Sequence, residues 1–278
     1  MLTDLGIDSN AVYEDDFEAA FLEETRQFYR TESAQYIATN TCPDYLRKVE
    51  ERLAEEALRV PNYLNQATGP KLQQITETEL ISMHATTLVE SERSGFDCLL
   101  RDNKTEDLRR MHDLFSRVPA KVEILRNALH DHVRRVGTEL VASHGSGASQ
   151  SSPVEFLKAL LELRDKYDTI VTQAFCAENL AQKRLKEAFE AFINADSRCA
   201  HCLVAYIDEL MRSGFKGLSE VEVEAMLDKV VVIFRYLQDK DVFEAFYKTH
   251  LSKRLLNNRS LTGPHKGHCR EFDGAREI

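Results

Sequence analysis

The stretch Val122-Glu-Ile-Leu-Arg-Asn-Ala-Leu-His-Asp-His-Val-Arg-Arg-Val-Gly-Thr-Glu-Leu140 carries the fold in its spacing. Val122, Leu125, Leu129, Val133, Val136 and Leu140 step by three or four residues and so form one stripe on a helix, whereas a strand alternates every second residue. The pattern recurs on both sides. Leu46, Val49, Leu53, Ala57, Val60 and Leu64 make an earlier stripe, and Val223, Leu227, Val230, Phe234 and Leu237 a later one. Phe21 and Phe28, with Leu22, Tyr29 and Tyr36, predict an aromatic packing face on a helix from about Asp16 to Thr39.

Breakers are scarce: the chain of 278 residues has 11 glycines and 6 prolines, and residues 7–42, 154–213 and 218–262 contain neither. Strand-and-turn architectures need a breaker every ~8–12 residues and are excluded on that ground. The chain is predicted to be all-α, an elongated stack of nine or ten helices in repeats rather than one compact bundle. With 43% hydrophobic residues it has ample material for a core.

Helix boundaries follow from side chains able to satisfy free backbone N–H groups. Ser152-Pro153-Val154-Glu155 joins an N-cap serine, a proline at the first helical position and a glutamate placed to reach back. Ser219 with Glu222 repeats the spacing, and Asp241 with Glu244 is a third candidate. Pro61 is expected to kink or end its helix and Pro119 to begin one. Ser143–Ser152 reads as a mobile polar loop, and Gly214–Gly217 as a break.

Charge and cysteine usage narrow the function classes. The net charge of -10, from 36 basic and 46 acidic side chains, disfavours general attachment to nucleic acid or to an anionic membrane, so protein partners are expected. No run approaches the ~18 apolar residues of a membrane span, and the first residues lack a signal-peptide pattern. Six cysteines without such a signal read as reduced thiols, which places the protein in cytoplasm or nucleus.

Several clusters hold the residue types of reactive or metal-binding sites. Cys199-Ala-His-Cys202 has the spacing of metal sites and redox pairs, but zinc needs four ligands, and the later candidates His265, His268 and Cys269 are more than ~60 residues away. Ordinary helix-end cysteines are the expectation. His130 and His132 point apart on a helix and read as solvated. Asp15-Asp16, Glu23-Glu24 and Glu55-Glu56 read as exposed solvating pairs. No nucleophile elbow or phosphate-binding glycine loop occurs. No catalytic residue, metal or cofactor is therefore expected. The basic run Lys248, Lys253, Arg254 and Arg259 reads as a complement to a helix C-terminus rather than a patch for an anionic partner.

One segment is far more specific: Leu237-Gln-Asp-Lys-Asp-Val-Phe-Glu-Ala-Phe-Tyr-Lys-Thr-His-Leu-Ser-Lys-Arg-Leu-Leu256. It resembles the stretch that opens the cullin homology region, with Asp239, Lys240, Asp241, Phe243, Tyr247, Leu251, Lys253, Arg254, Leu255 and Leu256 as its structural signature and Ser252 in place of the usual alanine. Val12–Glu18 with Phe28–Ser33, Cys42–Leu53, Asp113–Pro119 and Phe192–Asn194 agree as well, so the resemblance runs over about residues 1–260 and is nearest to the type that recruits BTB-domain adaptors.

The resemblance implies a non-catalytic scaffold of ubiquitin ligases, with ubiquitin ligase subunits and regulators as partners. It assigns residues 1–205 to the repeat stalk, 206–256 to the start of the homology bundle and 257–278 to a divergent tail expected to be disordered. It also implies that the docking regions for the BTB adaptor and the RING subunit lie outside this chain, as in a splice variant or incomplete gene model. An opened bundle is then expected to expose Val230, Phe234, Phe243 and Phe246. The alternatives are a helical tethering module and a truncated, non-functional or dominant-negative product.

Overall fold

A computed structural model describes residues 11–145, 152–213 and 219–256. Among these, every regular element is helical: α1 (Ala11–Tyr13), a π-helical segment (Glu14–Glu18), α2 (Ala19–Thr39), α3 (Cys42–Tyr63), α4 (Thr68–Glu77), a second π-helical segment (Thr78–Ser82), α5 (Ala85–Glu90), α6 (Phe96–Arg101), α7 (Thr105–Ser116), α8 (Pro119–Gly145), α9 (Pro153–Ala174), α10 (Asn179–Ile193), α11 (Arg198–Ser213), α12 (Glu220–Tyr236) and α13 (Lys240–Leu256). The thirteen α-helices among the described residues exceed the nine or ten expected. The excess comes largely from the stretch after Thr78, which breaks into short pieces. At one break Gly95 lies so close to the carbonyls of Ser91 and Val89 that a Cβ would sit 2.4 and 2.8 Å from them.

The chain divides into two compact units, Met1–Ala128 with Ile170–Glu178, and Leu129–Thr169 with Asn179–Ile278; α8 and α9 each run from one into the other. The first unit packs α2, α3 and α4 together and sets α7 against α3 and α6. Its core includes Tyr45, Leu46, Leu72, Ile81, Phe96, Met111, Phe115 and Phe175. The core face of α2 is Thr25, Tyr29 and Ser33, and Phe28 is 55% exposed. Adjacent side chains on a helix diverge by about 100°, so only one of the neighbouring rings can face inward.

Polar groups tie these helices together. Glu18 is buried and accepts from Thr68 Oγ1 at 2.7 Å and Lys71 Nζ at 2.6 Å. Burial opposes its ionisation, but those donors outweigh it and hold its carboxyl below the usual range. Glu79 takes both arms of Arg30 at 3.0 and 3.1 Å. Glu56, expected on a solvated face, is buried instead and pairs with the Tyr29 hydroxyl and, at 3.0 Å, with Arg59. Its neighbour Glu55 takes the exposed side of α3.

His84 bonds Ser33 Oγ through Nε2 at 2.8 Å, and burial lowers its pKa despite the opposing charge of Glu79. A neutral folded-state imidazole contributes stability that is fully present above the unfolded value near ~6.5 and is lost as pH falls through the folded value. Denaturant midpoints at pH 7 and pH 5 should therefore differ more in the native chain than in His84→Gln; equal differences would contradict the placement.

In the second unit Leu129, Val133, Leu160, Tyr167, Phe189, Phe192, Ile207, Leu227, Val230 and Phe243 form the core. Val136 and Leu140 complete their stripe only half-buried. His132 is buried and meets the Tyr167 hydroxyl at 2.9 Å, which corrects the solvated reading; it lies beside Val133 on the inner face, while His130 is turned further out. The Phe192 ring lies against α8 where Gly137 has no side chain, and a Cβ there would sit 2.2 Å from it. Gly137→Ala should gain up to ~1 kcal/mol in helix propensity but lose ~1–3 kcal/mol by overpacking, so its melting temperature should fall rather than rise.

Boundary expectations fare unevenly. Pro119 and Pro153 begin helices, α3 passes Pro61 and stops at Tyr63, and Ser219 with Glu222 forms a complete capping box. Ser143, His144 and Gly145 belong to α8 rather than to a loop. Helix α13 begins at Lys240, so Asp241 lies in its first turn instead of capping it. There its carboxylate still faces the positive end of the helix dipole. Residues 205 and 206, where the sequence divides stalk from bundle, lie inside α11. The loop core, the Gly214–Gly217 break and the tail 257–278 lie outside the described residues.

Candidate functional site

The signature segment forms α13 and the turn before it. Acidic Asp241 in its first turn and basic Lys253 and Arg254 in its last agree with the helix dipole. Phe243, Tyr247, Leu251 and Arg254 step by three or four residues along one face, where Phe243 and Tyr247 are buried and Leu251 is half-buried. Phe243 packs on Phe234 at 4.7 Å between ring centres and stacks on Tyr247 at 5.8 Å. Lys240 lies 5.8 Å from the Phe234 ring.

The fourth place on this face belongs to a charge. Arg254 is 3% exposed and donates from Nη1 to Asp208 Oδ1 at 2.8 Å, while its guanidinium lies 5.7 Å from the Tyr247 ring. Asp208 is 4% exposed, and its second oxygen lies 3.0 Å from Arg212 Nε and 3.2 Å from His250 Nδ1. One buried carboxylate thus gathers three basic side chains and clamps α13 to α11. Asn194 fixes the turn: its amide donates to Tyr236 O at 2.8 Å and accepts from Gln238 N at 2.9 Å.

These contacts refine one expectation and correct another. Arg254 lies in the last turn of its helix as expected, but its charge is also committed to a carboxylate 46 residues away. Lys248 pairs within its helix with Glu244 at 2.5 Å, and Lys253 is exposed. Val230, Phe234 and Phe243 are buried rather than stranded, because α11 packs on α13; of the four, Phe246 alone remains 39% exposed. The other signature residues, Asp239, Asp241, Lys253, Leu255 and Leu256, lie on the outer side of the segment, and Lys240 is intermediate. The sequence does not single out Asp208, and it marks Asn194 only as part of the matching stretch Phe192–Asn194. The available signal for Asp208 was a carboxylate within the apolar set Val204, Ile207 and Met211 of α11.

Cys199 and Cys202 are the second and fifth residues of α11, Cys199 buried and Cys202 half-buried. Burial pushes the Cys199 thiol up to about 12 and raises that of Cys202. Among the described residues no group of three His, Cys, Asp or Glu side chains could hold a metal ion, and His265, His268 and Cys269 lie outside them. No helix of the described residues is long and apolar enough to cross a membrane. The arrangement around α13 can hold helices in register; its ionised groups face one another across helices.

Comparison with known proteins agrees with this picture. Residues 1–263 match the family model for the cullin alpha solenoid domain. Cullin-3A of Arabidopsis thaliana is 42% identical over 262 residues, covering 94% of this chain and 35% of that protein. Cullin-3 of Dictyostelium discoideum is 40% identical over 262 residues, with 94% and 34% covered, and Cullin-3 of Caenorhabditis elegans is 34% identical over 270 residues, with 94% and 34% covered. The chain spans about a third of the length of these curated relatives.

Proposed function

Because the chain belongs to the cullin family, of the Cullin-3 type, we propose that it serves as a scaffold segment of a cullin-RING ubiquitin ligase, acting in the cytoplasm or nucleus through protein contacts and catalysing nothing itself. The observation that carries this reading is the use made of the signature helix. Its buried charge, Arg254, is committed to Asp208 and its aromatic residues to the core, so the segment holds α11, α12 and α13 in register. A scaffold of this kind accelerates modification by geometry: a bound substrate is kept near a charged enzyme at high effective concentration.

Its partners are ubiquitin ligase subunits and regulators. Affinity capture of the tagged 278-residue chain from its native cells, with mass-spectrometric identification of what is retained, tests the proposal. Recovery of ligase subunits or regulators, reduced by an unfolding substitution such as Val230→Pro, is the expected result. Recovery of vesicle-tethering subunits in their place would favour the tethering module.

A further inference from the structure

The scaffold reading makes no use of the thiol pair at the start of α11. Both cysteines line a single cavity of about 60 Å³ with Val141, His144, Pro153 and Phe156. The two residues are three apart in one helical turn, so their Cα atoms are about 5 Å apart, inside the range from which two sulfurs can share a bond or a bridging atom. Both thiols are free.

We propose that Cys199 and Cys202 form a binding site for a trivalent arsenical, a soft three-coordinate centre that brings its own third ligand. Ligand count selects this class. A tetrahedral zinc ion needs two further protein ligands; of the other two candidates lining the cavity, His144 keeps Nδ1 3.1 Å from Ser143 Oγ and 2.9 Å from Leu140 O, and Asp196 accepts from Arg198 Nε through both carboxylate oxygens, at 3.0 and 2.9 Å, so among the described residues no metal-holding group forms. An organic arsenic(III) oxide needs only two thiols. Burial raises both thiols, so both sulfurs enter as S–H at neutral pH. Condensation consumes S–H directly: two As–S bonds form, the As=O bond breaks, and both thiol protons leave with the oxygen as one water while arsenic stays trivalent. No oxidant or reductant is needed. Cys202, the more exposed sulfur, bonds first, and Cys199 closes the ring. Val141, Pro153 and Phe156 offer apolar contact to the organic group.

The test uses the full, reduced chain with one equivalent of phenylarsine oxide, read by intact mass. The expected result is one phenylarsenic adduct per chain that survives excess 2-mercaptoethanol and is removed by 2,3-dimercaptopropanol. Occupancy should fall more than about tenfold in Cys199→Ser and in Cys202→Ser, and stay unchanged in Cys42→Ser, Cys98→Ser, Cys176→Ser and Cys269→Ser. Matching far-UV circular dichroism of Cys202→Ser and the native chain separates lost binding from lost folding. An adduct that 2-mercaptoethanol strips, one that persists in both Cys199→Ser and Cys202→Ser, or one lost in Cys269→Ser overturns the site.

Discussion

Asp208→Ala should lower the stability of the second unit by about 3–5 kcal/mol, the range found when one member of a buried ion pair is removed. Arg254 is 3% exposed and cannot turn to water without dragging α13 from the core, and its Nε already lies buried without an acceptor. Arg212 is the more tolerant partner, because its side chain is 43% exposed. Removing both charges should cost much less: Asp208→Leu with Arg254→Met replaces the pair by apolar groups, a change that is often near neutral. Denaturant midpoints of the native chain, Asp208→Leu, Arg254→Met and the double variant form a closed cycle. A single-variant loss below about 1 kcal/mol would show that the clamp contributes no more than a surface pair.

Val230→Pro should cost on the order of 3 kcal/mol or more, and Leu227→Pro a similar amount. Both positions lie inside α12 and are buried, at 0% and 1% exposure. Proline removes the bond to the carbonyl four residues back and collides with it, so the helix must break where its stripe meets the core. Phe234, one turn further on, then loses its hold on Phe243, and the damage passes to the signature helix. Val230→Ala separates backbone from packing, since it deletes two methyl groups and leaves the hydrogen bond. A melting curve of Val230→Pro that overlays the native one would contradict the placement of α12.

How far the sequence could be read depended on whether a feature is local. Val122, Leu125, Leu129 and Val133 are all buried as their spacing predicts, because an amphipathic helix records its inner face every three or four residues. The Ser219 capping box was legible for the same reason, with donor and acceptor only three residues apart. The buried polar ties were not. Glu18 meets Lys71 across 53 residues and Arg254 meets Asp208 across 46, and each looks like an ordinary surface charge until the helices are packed. His132 and Glu56 depart from their solvated readings because a helix turns residues one or two apart to different sides: Glu56 is buried while Glu55 is exposed, and His132 is buried while His130 is turned further out. The π-helical segments also escaped periodicity, since each widens the turn and shifts the register on which the stripe is counted.

The proposed scaffold function requires that this segment hold its helices in place, and a chimera tests it most directly. Residues 1–256 would replace the matching stretch of Dictyostelium discoideum Cullin-3, and ubiquitin transfer by the assembled complex would be measured beside that of the parent. Transfer within about threefold of the parent is expected, with a loss of more than about tenfold when Asp208→Ala is added. A folded chimera with no transfer, or one whose transfer is indifferent to Asp208→Ala although the variant is destabilised, would contradict it.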